Sequence, residues 1–162
     1  DIIHVHNKVD PLFDIEIIQM ELEKAGINKP TLYVLNTSEV SGQISTEFKS
    51  KIPGPYLEVD PIFGTGLDKL IVEAYKLLDL ITFFTTGEDE SRAWTTLRDA
   101  TAPFAGKSIH TDFQDKVTRE QVVAYEDLIN AGSMLKAKEK GLVRTEGKEY
   151  IVQDGDVIEF LI

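Results

Sequence analysis

Thr31-Leu32-Tyr33-Val34-Leu35 is a nearly continuous run of apolar, β-forming residues that stops at Asn36-Thr37-Ser38-Glu39. A strand without polar alternation has to be buried on both faces, and that is the mark of a parallel sheet covered by helices. Upstream, Ile15, Ile18, Leu22 and Ala25 recur at helical spacing between Asp14, which can cap a helix, and Gly26, which ends one. Ile2, Ile3 and Val5 form a short strand before it. Strand, helix and strand in this order predict a right-handed parallel crossover.

After Leu35, residues 40–55 are polar, with Gly42, Pro53, Gly54 and Pro55, and read as a loop or a poorly formed helix. Tyr56-Leu57-Glu58-Val59 is a third strand, and Ile62-Phe63-Gly64-Thr65-Gly66 turns into a helix over 67–78. This alternation predicts an α/β layer fold. Beyond Leu80 the texture changes. Residues 81–86 and 92–97 are strand-like around a turn at Gly87-Glu88-Asp89-Glu90, which predicts a hairpin. A helix is expected over 103–109, a strand over 121–125 and a short helical stretch up to Lys140. Strands at 150–152 and 157–162 flank the Gln153-Asp154-Gly155-Asp156 turn. Short strands with one central helix describe an α+β domain of about 80 residues, in which Trp94, Ile151, Val157 and Phe160 are expected to share a core. The expected division is therefore 1–79 and 80–162.

Charge and composition exclude several classes of function. The net charge of −11 is spread over both halves and repels a nucleic-acid backbone at long range, so DNA is not expected as a partner. A local exception is Lys136, Lys138, Lys140, Arg144 and Lys148, set against only Glu139 and Glu146. A solvated charged face explains this cluster as well as an RNA-backbone contact does. With no cysteine there is neither a disulfide framework nor a thiolate metal site. His4 and His6 share a strand face but lack an evident third ligand, so no metal site is expected. No apolar run reaches the roughly 20 residues of a bilayer span, so no membrane role is expected and a cytoplasmic protein is. The first residue is Asp1, inside a strand-like run, and the chain reads as starting partway through a larger protein.

In nucleoside triphosphatases built on the GTPase fold, the base is read by a loop at the carboxyl end of a buried parallel strand. Asn36-Thr37-Ser38-Glu39 occupies such a place. It lacks the Lys and the Asp of the guanine-reading Asn-Lys-x-Asp form. The Asn36 amide offers one donor and one acceptor, which suits the N6 and N7 edge of adenine. A polar turn that merely closes the strand is the plainer reading of Asn36, Thr37 and Glu39 taken alone. Gly64-Thr65-Gly66 likewise reads first as a strand-to-helix turn and second as a nucleotide contact. His110 with Asp112 reads as a helix-end turn rather than an acid–base pair.

Longer blocks add a resemblance. Residues 1–18, with the His-Val strand, the Val-Asp-Pro turn and the Asp-Ile-Glu helix start, resemble the YchF (Obg-like ATPase) family, as does Asn-x-Ser-Glu at 36–39. The match continues through Phe84-Thr85-Thr86-Gly87-Glu88, Glu90-Ser91-Arg92-Ala93-Trp94-Thr95, Ala102-Pro103, Ala105-Gly106 and Ile109-His110-Thr111-Asp112-Phe113, and then through 150–157. The resemblance implies an α/β fragment of a P-loop GTPase-type domain with a parallel sheet, followed by an α+β, β-grasp (ubiquitin-like) TGS domain. It further implies nucleotide binding with ATP preferred over GTP, Mg²⁺ as companion ion in the complete protein, and ribosomes or translation factors as partners. RNA contact through the TGS domain would fall to the five cations at 136–148.

Three departures shape what this chain does by itself. The family's Gly-rich phosphate-binding loop and both switch regions have no counterpart in it, so no catalytic residue is assigned, and the chain alone is expected neither to hold ATP nor to hydrolyse it. The family's long helical insertion is missing between the helix ending at Gly26 and the strand starting at Thr31. The family run Phe-Glu-x-Gly-Phe-Ile-x-Ala-Glu is replaced by Phe113-Gln114-Asp115-Lys116-Val117-Thr118-Arg119-Glu120-Gln121. The alternative to a nucleotide-binding protein is a non-enzymatic TGS module that contacts the ribosome or RNA.

Overall fold

A computed structural model describes residues 5–6, 11–27, 29–37, 44–87 and 90–161, with backbone alone at 5–6 and 11–15. The chain divides into two compact units, Asp1–Leu77 and Leu78–Ile162.

The first unit is built on three parallel strands in the order β1 (Val5–His6), β2 (Tyr33–Asn36) and β3 (Tyr56–Val59). The apolar run puts β2 at the centre, where Tyr33 and Leu35 are buried. Ile2 and Ile3, assigned to the first strand from sequence, lie outside the described residues. Helix α1 (Pro11–Lys24) begins three residues before Asp14, because proline is suited to a first helical turn whose N–H groups have no partner anyway. It ends as Gly26 predicts. Gly26 has a φ of 67°, its N–H donates to the Glu23 carbonyl at 3.0 Å, and Ile27 N–H donates to the Leu22 carbonyl at 2.9 Å. The Tyr33 hydroxyl accepts a hydrogen bond from Gln19 at 2.8 Å and so ties α1 to the central strand. In the polar stretch a single turn, α2 (Thr46–Ser50), forms where the Ser45 hydroxyl accepts from Phe48 N–H at 3.1 Å. Helix α3 (Leu67–Leu77) follows β3.

The second unit holds five strands in the order β5 (Ser91–Leu97), β4 (Leu80–Thr86), β8 (Asp156–Leu161), β6 (Arg119–Ala124) and β7 (Arg144–Gly147). Among the described residues of this unit only β4 and β8 run parallel. In place of the one central helix expected from sequence, the described residues form four short ones, α4 (Ala102–Gly106), α5 (Thr111–Lys116), α6 (Tyr125–Ala131) and α7 (Met134–Glu139). Successive strand residues point to opposite faces, and both faces are covered. Ile81, Phe83, Val122 and Ile158 pack with Ala102, Ala105 and Val152 on one face, joined by Trp94, Ile109, Tyr150 and Phe160. Val123 and Val157 pack with Ala131 and Ala137 on the other, joined by Phe84, Leu128 and Met134.

This parity corrects one expectation from sequence, that Trp94, Ile151, Val157 and Phe160 would share a core. Trp94 and Phe160 do share one. Val157 belongs to the opposite face and Ile158 takes its place, while Ile151 is exposed and Val152 is buried. An apolar run does not announce its own register. Trp94 is only half-buried, and its indole N–H donates to Thr85 Oγ1 at 2.9 Å.

Phe83 is fully buried at the centre of the first cluster. Phe83→Ala is therefore expected to cost about 3–5 kcal/mol in urea denaturation, while the exposed Ile151→Ala costs less than about 1 kcal/mol. Equal losses at the two positions would contradict this packing.

Candidate functional site

The loops after β2 and β3 leave the same edge of the parallel sheet, beyond the carboxyl ends of the strands, where open α/β sheets bind ligands. Asn36 is paired in register with Val59, and Thr37 N–H donates to the Val59 carbonyl at 3.0 Å, so the two loops start side by side. Asn36 and Thr37 are half-buried there. Glu39, the third residue assigned to base reading, lies outside the described residues.

The second loop, 60–66, is held by its own chemistry. The Asp60 carboxylate accepts hydrogen bonds from the backbone N–H groups of Ile62 at 2.8 Å and Phe63 at 3.1 Å, and Asp60 N–H donates to the Thr65 carbonyl at 2.8 Å. Gly66 has a φ of 83°, and a Cβ placed on it would sit 2.3 Å from the Glu58 carbonyl oxygen. That close approach gives the second glycine of Gly-Thr-Gly a structural reason to be glycine. The loop presents Ile62 and Phe63 to solvent, exposed by 63% and 71%. A shallow pocket of about 250 Å³ lies elsewhere in this unit, lined by Leu57, Asp68, Lys69, Val72 and Glu73, and it includes neither Asn36 nor Thr37.

In the second unit, α7 carries Lys136 and Lys138, and Lys140 caps its end. Arg144 opens β7, and Lys148 stands in the turn after it. The five cations are not equivalent. Arg144 lies over the Tyr150 ring, donates to the Tyr150 hydroxyl at 3.0 Å, and stands 3.8 Å from the Glu146 carboxylate and 3.9 Å from that of Asp156. The Tyr150 hydroxyl in turn donates to buried Asp156 at 2.7 Å. Burial, helped by that bond, pushes the Tyr150 phenol up to about 12. Arg144 is thus exposed but engaged by partners of its own fold. Lys138 is 3.6 Å from Glu159. Lys136, Lys140 and Lys148 are exposed and form no ion pair among the described residues. Sequence reading did not anticipate β7, because Arg-Thr-Glu-Gly has no hydrophobic alternation to announce it.

His110 and Asp112 close a helix end. His110 Nδ1 accepts from Asp112 N–H at 3.2 Å at the start of α5. The Asp112 carboxylate pairs with Lys116, whose hydrogen bond and charge hold the carboxyl below its usual range. Among the described residues no three His, Cys, Asp or Glu side chains gather into a metal-binding group, and no helix is long and apolar enough to cross a membrane.

Two α/β units, the first on an all-parallel sheet and the second on a mixed sheet, define the class of the molecule. The YchF-GTPase_C family model, described as a protein of unknown function, matches residues 80–162. The chain belongs to the YchF family. It is 42% identical over 151 residues to the ribosome-binding ATPase YchF of Bacillus subtilis, an overlap of 93% of this chain and 40% of that protein. Against the protein of the same name from Escherichia coli O157:H7 it is 51% identical over 96 residues, covering 59% of this chain and 26% of that one. The chain thus spans well under half the length of these relatives. The structure of the Schizosaccharomyces pombe YchF GTPase shares the fold, with a TM-score of 0.76 at 23% identity over 99% of this chain and 68% of that one.

The two loop glycines separate two causes of strain. Gly64→Ala meets only the penalty of its positive φ, about 1 kcal/mol, while Gly66→Ala adds a backbone clash and should cost at least about 2 kcal/mol. Chemical denaturation of the two variants followed at the first unit checks the order, and Gly64→Ala being the worse of the two would contradict the loop geometry.

Proposed function

We propose that this chain is the C-terminal part of a YchF-type nucleotide-binding protein that acts in the cytoplasm with the ribosome. On this reading residues 1–79 are the tail of the GTPase-fold domain and carry base recognition, and residues 80–162 are a TGS domain that carries the ribosome contact. The observation that carries the reading is the 42% identity, over nearly the whole chain, to a protein named as a ribosome-binding ATPase. Those names also favour a nucleotide-binding protein over a stand-alone interaction module. The strand order of the second unit, with its first and last strands parallel and adjacent at the centre, supports the β-grasp assignment.

Asn36 is the residue on which a preference for ATP over GTP would rest. Its amide matches the donor and acceptor of the adenine N6 and N7 edge, and it stands at the carboxyl end of the central strand beside Thr37. Glu39 belongs to the same motif. These residues fit the base of a nucleotide and do not fit its phosphates, since no Gly-x-x-x-x-Gly-Lys-Ser/Thr run occurs in the 162 residues. No hydrolytic step is therefore assigned to side chains of this chain. In the complete protein Mg-ATP would take its phosphate contacts from elsewhere, and Mg²⁺ would neutralise the phosphate charge.

Contact with ribosomal RNA or with a translation factor falls to the cationic surface of the second unit. Lys136, Lys140 and Lys148 would touch the partner, with Lys138 and Arg144 largely engaged within the fold. A chain of net charge −11 can meet RNA only through such a local patch.

Both halves of the proposal are open to direct test with the 162-residue chain. Calorimetric titration with Mg-ATP should show binding no tighter than millimolar, because a few base contacts at about 0.5–1.5 kcal/mol each do not offset the cost of capturing a free ligand. Cosedimentation with ribosomes should show binding that weakens with salt, and replacing Lys136, Lys140 and Lys148 by Glu should flatten that dependence by about one unit of slope per lysine. Micromolar ATP affinity, or ribosome binding indifferent to both salt and these lysines, would refute the respective half.

A further inference from the structure

Glu120 lies in β6 with no exposed surface, and neither of its carboxylate oxygens meets a hydrogen-bond donor. A carboxylate that is ionised, buried and unpaired is strongly disfavoured, so such a group keeps its proton. Its surroundings offer no compensation. Directly across on β7 stands Glu146, a like charge whose nearest cation, Arg144 at 3.8 Å, is shared with Tyr150 and Asp156. Directly across on β8 stands Phe160, which carries no charge. The neighbours along β6, Arg119 and Gln121, point to the other face of the sheet. Glu159 of β8, opposite Gln121, shares that other face and pairs with Lys138.

The strand paired beside this carboxyl is the shortest of the sheet. β7 has four residues, lies at the edge and pairs with β6 alone. Detaching β7 opens the edge of the sheet directly beside Glu120. We propose that the proton on Glu120 latches the edge strand β7 to the sheet, so that β7 is held firmly at acidic pH and loosens as Glu120 ionises.

The direction of the effect follows from linkage. Burial first, and the Glu146 charge second, raise the Glu120 carboxyl from 4.5 to about 7 in the closed sheet. With β7 detached the group is hydrated and returns toward 4.5. A raised value in the closed form means that the added stability is complete below 4.5, falls as pH climbs from there to about 7, and is constant above. Lys148 follows β7, so loosening would shift one of the three lysines of the basic surface. That consequence, unlike the latch, rests on the ribosome-contact reading.

Amide hydrogen exchange of the full ¹⁵N-labelled chain between pH 5 and 7.5, corrected for intrinsic exchange rates, tests the latch. Protection of the β7 amides should fall by about tenfold or more while that of β4 and β8 is unchanged, and the ¹³C shift of the Glu120 carboxyl should titrate far above 4.5. Glu120→Gln should remove the pH dependence, and Glu146→Gln should keep it with a lower midpoint. Glu120→Ala, which restores the alanine of the family run, provides the same test without any buried polar group. The latch is overturned if Glu120 titrates near 4.5, if either Glu120 variant retains the pH-dependent loss, or if all strands of the unit lose protection together.

Discussion

The second unit depends on the alternation of side chains across one five-stranded sheet. Phe83 and Phe84, Val122 and Val123, and Val157 and Ile158 are neighbours in sequence that serve opposite cores. A sheet buried on both faces needs helices on both, and that requirement places the rest of the unit. α4, in the connection between β5 and β6, covers one face through Ala102 and Ala105. α6 and α7, inserted between β6 and β7, cover the other through Ala131 and Ala137. Small residues at these contacts let the helices lie close. At Gly106 even a Cβ would come within 3.0 Å of Phe113. Because α7 is fixed by Ala137, the lysines on its remaining sides are directed to solvent, so the basic surface follows from the packing beneath it.

The first unit follows a different logic, in which one strand organises the site. Central β2 pairs on both sides, and its carboxyl end delivers Asn36 and Thr37 next to the loop that leaves β3. The hydrogen bond between Thr37 and Val59 joins the two strand ends, and the Asp60 hydrogen bonds and the close approach of Gly66 to Glu58 fix the 60–66 loop. On the proposed reading this edge serves base recognition, which depends on donor and acceptor positions more than on charge. Phosphate recognition needs a cradle of backbone N–H groups, and on the proposed reading the complete protein supplies it from elsewhere.

What could be read from sequence was whatever has a one-dimensional signature. The uninterrupted run at 31–35 announced a buried parallel strand, helical spacing announced α1 and α3, and Gly26 announced a helix end that the structure closes with two characteristic hydrogen bonds. The blocks from Phe84 to Val157 identified the family. What could not be read was what depends on pairing. β7 has no apolar pattern and exists because β6 offers it an edge. The assignment of Val157 and Ile158 to opposite cores depends on register with β4 and β6. The division of labour among the five cations depends on Tyr150, Asp156 and Glu159, which no local pattern connects to them. Glu120 has no local signature either, since only pairing places it opposite Glu146 and leaves it without exposed surface.

The central claim is that the two units carry separate recognition tasks, nucleotide base in the first and ribosome in the second. Residue-resolved NMR of the labelled chain titrated with ribosomes tests it most directly. The account predicts that line broadening begins at Lys136, Lys140, Lys148 and their neighbours, with the Asn36 and Thr37 signals unaffected when the segment is observed under the same conditions. Broadening that begins at Asn36 and leaves α7 and the turn after β7 untouched would contradict it.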